Sequence, residues 1–339
     1  MSDLTQATRE LFLRSLVDEV YMRTPILEEI KRRNKVTYSG GKYIERLVDT
    51  DTIDDLVQEY SVNDALTDQK KNTLDKPRFT WKYAQLPLRY DADEKFQNVT
   101  AGNEEQLLDL AAHLTEKGQD GVRKFLCKKI FNSGSTTGVA DGATGFQSLV
   151  SALDHDVTYG TLARAHSTNT RNWWQGADPG GLTSTTTSAQ GTAYNATISN
   201  LRKWINETDV AHYMQGADDL QVVCCPTLYN KFRAEMESKL IYKPESKQKQ
   251  GITSMELDGH EIVSVPYLQT TSTMKTWLFI LNLRYFELYI HSARNFDMTE
   301  FKWQGDVANG HDYWLSRIMW IGNFVCWKPN SSMFLSNIS

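Results

Sequence analysis

The sequence has 339 residues, of which 40% are hydrophobic and 11% are aromatic. This length and composition suit a folded chain of about two or three compact units and exclude an intrinsically disordered one. The formal net charge of −5 argues against a nucleic-acid-binding protein, because neutralising phosphates requires clustered Lys and Arg side chains.

Two helices are predicted at the start of the chain. Apolar side chains recur at three- and four-residue spacing between Leu13 and Tyr21, which is typical of one helical face. Thr24 is a suitable N-cap for a second helix that begins at Pro25. We expect Gly40-Gly41 to end this first unit, residues 1–41.

Residues 42–93 are predicted to form an extended two-stranded loop. Alternating side chains over Lys42–Thr50 and Arg78–Tyr90 predict two strands, joined by a charged tip. On the second strand, one face carries Phe79, Trp81 and Tyr83, and the opposite face carries Leu86, Leu88 and Tyr90. The period-two pattern therefore changes phase at Ala84–Leu86, which requires a bulge or a junction between two environments.

A long two-stranded loop cannot bury its own apolar face, so it needs the parent domain or a neighbouring subunit. The candidate intersubunit contacts are Phe79, Trp81 and Tyr83 on the strand and Leu56 and Tyr60 at the tip. Trp81 could anchor a subunit contact or pack within its own subunit, and we favour the intersubunit role, because an indole buried at an interface contributes about 2 kcal/mol or more.

A long helix is predicted from Asn103 to about Phe131, with Gln106 at the capping-box position. Gly118 and Gly121 lie inside it, and each glycine destabilises a helix interior by about 1 kcal/mol relative to Ala. We therefore expect a bend or a break at this point.

Residues 145–181 combine an apolar stretch with Tyr159-Gly160, Arg164 and Trp173-Trp174. Gly160 permits a tight or positive-φ backbone that a Cβ would hinder. The two adjacent indoles supply a large amphipathic contact area. An ordinary loop with a glycine turn and two core tryptophans is the alternative interpretation.

From residue 194 the pattern changes to mixed helix and strand. The predicted elements are a helix at Tyr194–Ile205, a buried strand at Leu220–Cys225, a helix from Pro226, a hairpin around Asp258-Gly259, and strands at Trp277–Leu281, Phe286–Ile290 and 314–335. The four late tryptophans, Trp303, Trp314, Trp320 and Trp327, are expected to pack in the core and the sheets rather than to form a glycan-stacking platform.

Motifs for catalysis, cofactor binding and metal binding fail in this sequence. His260-Glu261 lacks the second histidine of a zinc-protease motif, since Ser264 stands there. Cys127, Cys224, Cys225 and Cys326 form no Cys-x-x-Cys pair, which favours folding in a reducing compartment. No apolar run approaches the roughly 18 residues of a membrane span. We therefore expect no enzyme activity, cofactor, metal or membrane.

The order of these elements, together with the Tyr159-Gly160 segment, resembles the major capsid proteins of tailed bacteriophages. Residues 79–83, 94–98 and 320–324 add to the resemblance, which extends over nearly the whole chain. It implies an α+β capsid fold in five parts: an N-terminal arm (1–41), an extended two-stranded loop (42–93), a peripheral domain with a spine helix and a Gly-rich loop (94–193), an axial α/β domain (194–300) and strands that return to the peripheral domain (301–339).

The function implied by the resemblance is a structural protein that self-assembles, as pentamers and hexamers, into an icosahedral head around double-stranded DNA. It implies residence in the virion, assembly in the host cytoplasm and no sequence-specific hold on DNA. Because the chain starts almost directly with the arm helix, a separate scaffold protein or none is implied, with a portal as a further partner. The alternatives are an encapsulin-like compartment shell, which shares the fold, and a secreted glycan-binding or hydrolytic protein.

Overall fold

Two mixed β-sheets organise the part of the chain that the computed structural model describes, namely residues 25–33, 36–49, 56–62, 70, 73–94, 105–131, 146–155, 158–162, 174–177, 193–212, 220–237, 254–270, 272, 274–305 and 312–339. The helix predicted over residues 13–21 lies outside these ranges, as do Asn103, Arg164 and Trp173.

The helices are α1 (Pro25–Arg32), α2 (Glu105–Phe131), α3 (Leu149–Leu153), α4 (Ile198–His212) and α5 (Pro226–Glu237). The strands are β1 (Val36–Ser39), β2 (Tyr43–Glu45), β3 (Val48–Asp49), β4 (Leu74–Asp75), β5 (Arg78–Thr80), β6 (Lys82–Asp91), β7 (Leu220–Cys224), β8 (Ser254–Leu257), β9 (His260–Ser264), β10 (Leu278–Asn282), β11 (Phe286–His291), β12 (Asp297–Met298), β13 (Lys302–Trp303), β14 (Tyr313–Cys326) and β15 (Met333–Leu335). The predicted long helix, the hairpin and the strands of the second half are therefore confirmed.

Strand β14 is the centre of the six-stranded sheet. Ile318 of β14 pairs with Leu86 of β6 on one side and with Met298 of β12 on the other, so β14 lies between them. The segment from β11 through β13 runs antiparallel along one edge of β14, and β6 runs antiparallel along the other. Strand β1 adds to the outside of β11 in parallel.

The five-stranded sheet has the order β15-β10-β7-β9-β8. Every residue of β7 and β10 is buried, as expected for strands covered on both faces. Apolar side chains of α4 and α5 contribute to the same core, among them Trp204 and Phe232. Asp258 and Gly259 both have positive φ, which suits the tight turn between β8 and β9.

The two sheets divide the chain differently from the predicted boundary at residue 300. Strand β11 already belongs to the six-stranded sheet, whereas β15 belongs to the five-stranded one. The chain passes from β10 to β11 through a short 3-10 turn, Leu283–Tyr285, so the switch between sheets lies there. The division into five domains remains a prediction.

Helix α2 is continuous from Glu105 to Phe131, so no helix break occurs at its glycines. These glycines permit a close approach to the six-stranded sheet. A Cβ on Gly118 would stand 3.2 Å from Leu88 Cδ2 and 3.4 Å from Ile318 Cδ1. The helix lies against β6 and β14 at a distance that a larger side chain would increase.

The first unit contains a strand that the sequence pattern did not predict. Strand β1 lies between α1 and Gly40-Gly41, and it pairs with β11 about 250 residues later in the chain. The residues of β1, Val-Thr-Tyr-Ser, alternate apolar and polar side chains over only four positions, and the pairing with β11 defines them as a strand.

The change of phase in the second strand of the loop lies at Trp81–Lys82 rather than at Ala84–Leu86. Trp81 and its neighbour Lys82 are both buried, whereas Tyr83 is exposed. At this point the chain leaves the β2–β5 ribbon and enters the six-stranded sheet as β6. The junction between two environments was predicted correctly, and its position was predicted two to four residues too late.

Candidate assembly interface

The extended loop, residues 42–93, begins as a two-stranded ribbon. Strand β2 pairs with β5, and β3 pairs with β4, both antiparallel. Glu45 accepts a hydrogen bond from Lys76 Nζ at 2.6 Å and lies 3.2 Å from Arg78 Nε. The hydrogen bond from Lys76, together with the positive charges of Lys76 and Arg78, lowers the pKa of Glu45. The carboxylate therefore links the two strands of the ribbon.

The ribbon is attached to the subunit through Gly160 and Phe79. Gly160 has a φ of +58°, and its carbonyl oxygen accepts a hydrogen bond from the backbone N–H of Arg78 at 2.8 Å. The ring of Phe79 covers Gly160 where a side chain would otherwise stand. A glycine at this position lets the Tyr159-Gly160 turn touch the root of the loop directly.

Tyr159 connects this turn to the end of strand β14. Its hydroxyl oxygen accepts a hydrogen bond from the backbone N–H of Cys326 at 2.8 Å, and its carbonyl oxygen accepts one from Trp174 Nε1 at 2.7 Å. Its ring packs edge-on against Phe79, with 4.8 Å between the centroids. The segment singled out in the sequence is therefore the buried anchor of the loop, and Trp174 is one of its core tryptophans.

Asn323 is a buried residue at the same root that sequence reasoning missed. Its Oδ1 accepts hydrogen bonds from the backbone N–H groups of Gln147 and Phe324, at 3.1 and 3.0 Å. Its Nδ2 donates to the carbonyl oxygen of Thr80 at 3.0 Å. One amide thus joins the segment before α3, strand β14 and the end of β5. Two sequence signals exist: Asn323 is a polar residue within an apolar strand, and it lies in residues 320–324, which add to the family resemblance.

A buried carboxylate holds a further point of the loop. Glu287 accepts hydrogen bonds from Tyr289 Oη at 2.7 Å and from Trp327 Nε1 at 3.1 Å, and Arg46 of the loop lies 3.3 Å away. Burial, followed by the hydrogen bond to Glu287, raises the pKa of Tyr289. The loop is thus held at its base by an ion pair as well as by packing.

Two of the predicted contact side chains lie inside the subunit. Phe79 is 2% exposed and Trp81 is 7% exposed. Trp81 Nε1 donates to the carbonyl oxygen of Gly41 at 2.8 Å, and its ring packs edge-on against His291. Trp81 therefore packs within the subunit, which was the alternative to an intersubunit anchor, and its contact with a neighbour remains a prediction.

The other predicted contacts remain accessible to a neighbour. Tyr83 is 72% exposed and Tyr60 is 67% exposed, whereas Leu56 is half-buried. Within the described part of the chain, seven of the eight exposed large hydrophobic side chains lie between residues 43 and 83. They are Tyr43, Leu47, Val57, Tyr60, Val62, Leu74 and Tyr83. Such a concentration on one element is typical of a protein–protein contact surface.

The late tryptophans divide into two groups. Trp320 and Trp327 are buried, as predicted, and Trp314 is half-buried. Trp303 differs from the prediction, because 49% of it is exposed at the end of the six-stranded sheet. Strand β13 has only two residues and pairs only with β14 among the described strands, so little covers this indole.

The described residues contain no group of three or more His, Cys, Asp or Glu side chains placed to hold a metal ion. None of the described helices is both long and apolar enough to cross a membrane. None of the four cysteines forms a disulfide, and burial raises the pKa of the Cys224 thiol.

No protein-family model and no curated protein sequence matches this chain. Solved structures do match over most of its length. The capsid asymmetric unit of cyanophage A-1(L) superposes with a TM-score of 0.64 at 14% identity, covering 90% of this chain and 90% of that chain. The mature capsid of bacteriophage PhiM1 gives a TM-score of 0.52 at 9% identity, covering 91% and 86%.

A third similar structure is the capsid of a native GTA particle, with a TM-score of 0.51 at 10% identity, covering 91% of this chain and 90% of that chain. At these identities the likeness concerns the fold. The chain has the α+β fold of tailed-phage major capsid proteins, and this part of the prediction is confirmed.

Proposed function

We propose that this chain is a structural subunit that self-assembles into an icosahedral viral head enclosing double-stranded DNA. Its role is architectural rather than catalytic. The observation that carries the proposal is the extended loop: its root is fixed by buried contacts, while its surface presents most of the exposed apolar side chains of the described chain. Such an apolar surface has no role in an isolated subunit, whereas a shell would bury it at contacts between subunits.

The fixed root of the loop and its exposed apolar surface both favour assembly. Binding is stronger when the binding element is already ordered, because less conformational entropy is lost on association. The hydrogen bonds of Asn323 and the packing of Phe79 on Gly160 order the root of the loop within the unassembled subunit. Tyr83 and Tyr60 are the side chains offered to the neighbour, and Leu56 contributes where it remains accessible.

The proposed partners are further copies of the same chain, arranged as pentamers and hexamers in the virion. A separate scaffold or portal protein would act during assembly in the host cytoplasm. The five-part division of the chain is proposed with this function. The net charge of −5 supports enclosure of DNA without sequence-specific binding, because the release of counterions from DNA would be small.

The contents of native particles test this function. Particles purified from the natural source are treated with nuclease, and the protected contents are then extracted. Double-stranded DNA of uniform length is the expected result. Particles that hold a protein cargo and no DNA would contradict the viral head and support a cellular compartment instead.

A further inference from the structure

Two unpaired polar groups lie where the turn between β11 and β12 packs against β14. Among the described residues, neither Nε1 of Trp320 nor Oδ1 of Asn295 has a hydrogen-bond partner, although both atoms are buried. An unpaired buried donor or acceptor loses its hydration without compensation, so most such groups in native proteins are paired. Trp320 lacks an acceptor and Asn295 lacks a donor, so each group supplies what the other lacks.

The backbone places these two residues side by side. The carbonyl oxygen of Arg294 accepts a hydrogen bond from the backbone N–H of Ile321 at 3.1 Å. The ring of Phe296 stacks on the indole of Trp320, with 5.7 Å between the centroids. Asn295 stands between Arg294 and Phe296 in the chain, so it lies beside the part of β14 that carries the indole.

Phe296 holds this arrangement with a strained backbone. Its φ is +55°, in the left-handed region that a bulky side chain rarely adopts, and the residue is buried. Burial of the ring and its stacking on Trp320 offset the strain. Strain of this kind is concentrated at switch regions and other functional sites. In this turn, strain and two unpaired polar groups therefore oppose the packing of a single ring.

A second arrangement of the turn would remove the strain and pair both groups. With a negative φ at Phe296, the phenyl ring would leave the indole, and the amide of Asn295 would turn toward Nε1 of Trp320. Phe146 also stacks on the indole, with 5.3 Å between the centroids, and would keep it in place. Gly322 leaves room at the edge of the indole, since a Cβ there would stand 2.6 Å from Cζ2 of Trp320.

We propose that residues 294–296 form a two-state switch at the root of the extended loop. In the first state Phe296 covers the indole of Trp320, and in the second state Trp320 Nε1 donates a hydrogen bond to Asn295 Oδ1. Trp320 pairs with Ala84 of β6, close to the point where the loop joins the six-stranded sheet. A change at Trp320 is therefore transmitted to the root of the loop. This inference concerns the unassembled subunit and does not rest on the proposed shell function.

NMR relaxation dispersion on the dilute, isotopically labelled full-length subunit tests the switch. The indole N–H of Trp320 and the backbone amide of Ala84 should show exchange on the microsecond-to-millisecond timescale with one common rate. Trp320→Phe identifies the indole signal by its loss. Asn295→Ala removes the acceptor of the second state, and it should lower the population of that state at least about tenfold, because one buried hydrogen bond is lost.

Asn330→Ala is the matched control. The Oδ1 of Asn330 is also buried and has no partner among the described residues, but it belongs to the 3-10 turn Pro329–Ser331, which contacts α4. This variant should leave the exchange at Trp320 and Ala84 unchanged. Trp277, whose Nε1 is likewise buried and unpaired in the described chain, is the internal reference, and its indole signal should be the same in the wild type and in Asn295→Ala.

Several results would overturn the switch. They are the absence of exchange at Trp320 in the wild type, exchange that Asn295→Ala leaves unchanged, and exchange at Trp320 without exchange at Ala84. A bound water that persists beside the indole in both the wild type and Asn295→Ala would also overturn it, because the unpaired groups would then be hydrated without any change in the turn. Failure of the switch leaves the shell function standing, since that function is tested by the contents of particles.

Discussion

Gly160 lies directly against the ring of Phe79: a Cβ built on Gly160 stands 2.5 Å from Phe79 Cζ and 2.8 Å from Cε1. The two residues are 81 positions apart in the sequence, and one of them carries the root of the extended loop. The Tyr159-Gly160 segment, which carries part of the resemblance to capsid proteins, therefore packs against the root of the loop.

The first prediction concerns this contact. Gly160→Ala should destabilise the subunit by about 1–3 kcal/mol, because the new methyl group overpacks against Phe79 and the residue must keep a positive φ. Gly259→Ala is the matched control, since Gly259 also has a positive φ but has nothing within 4 Å of its Cβ position. Urea unfolding of both variants measures the difference. Equal losses would show that the ring contact contributes nothing.

The second prediction separates Trp81 from Tyr83. Trp81→Ala should lower the stability of the unassembled subunit by about 3–5 kcal/mol, because it removes a buried indole and leaves a cavity. Tyr83→Ala should leave the melting temperature nearly unchanged and reduce the yield of shells, because the tyrosine is exposed. Calorimetry of subunits and sedimentation of assembled material give the two readings. An unchanged melting temperature of the Trp81→Ala subunit would contradict its internal role and support a role in the intersubunit contact.

The third prediction concerns Asn323. Asn323→Asp keeps an acceptor for Gln147 and Phe324 but loses the donor to Thr80, and it places a carboxylate in a buried site. We expect the free energy of unfolding to fall by about 1–3 kcal/mol or more. Asn200→Asp loses a comparable amide bond, to the carbonyl oxygen of Asn195, at an accessible site and should change stability little. Similar unfolding curves for the two variants would contradict the role of Asn323.

The sequence was informative where local pattern and tertiary environment agree. The run Leu220–Cys224 is apolar throughout and is buried throughout, and the Asp258-Gly259 turn joins two paired strands. Such elements can be predicted because burial on both faces or a tight turn leaves a direct trace in the residue types.

The candidate site was predicted only in part, because its geometry depends on distant partners. From the sequence, Trp81 could anchor a subunit contact or pack within the subunit, and only the positions of Gly41 and His291 show that the indole is covered. From the sequence alone, the glycines of α2 predict a helix break. In the structure, Leu88 and Ile318 pack against Gly118, so the glycine allows a close approach to the sheet. Neither fact can be derived from spacing, since both depend on residues that are far apart along the chain.

The fourth prediction is a titration of Glu45. Its lowered pKa means that its pairing with Lys76 stabilises the ribbon above the ordinary carboxyl pKa, and that this contribution disappears as the pH falls through the lowered value. Carboxyl carbon NMR should give a midpoint below the ordinary range for Glu45, and Lys76→Met should raise it. An unchanged Glu45 midpoint in Lys76→Met would refute the ion pair.

The fifth prediction tests the central claim, assembly through the extended loop. Residues 50–73 are replaced by Asn-Gly, a turn that joins β3 directly to β4 and leaves their pairing intact. The melting temperature of the shortened subunit should stay close to that of the full chain, since Phe79, Gly160 and Asn323 all remain in place.

Electron microscopy of the full-length and shortened proteins, purified and concentrated side by side, is the most direct measurement of that claim. We expect closed particles or rings of capsomers from the full-length chain and only dispersed subunits from the shortened one. Normal closed shells from the shortened protein would contradict the assembly role of the loop.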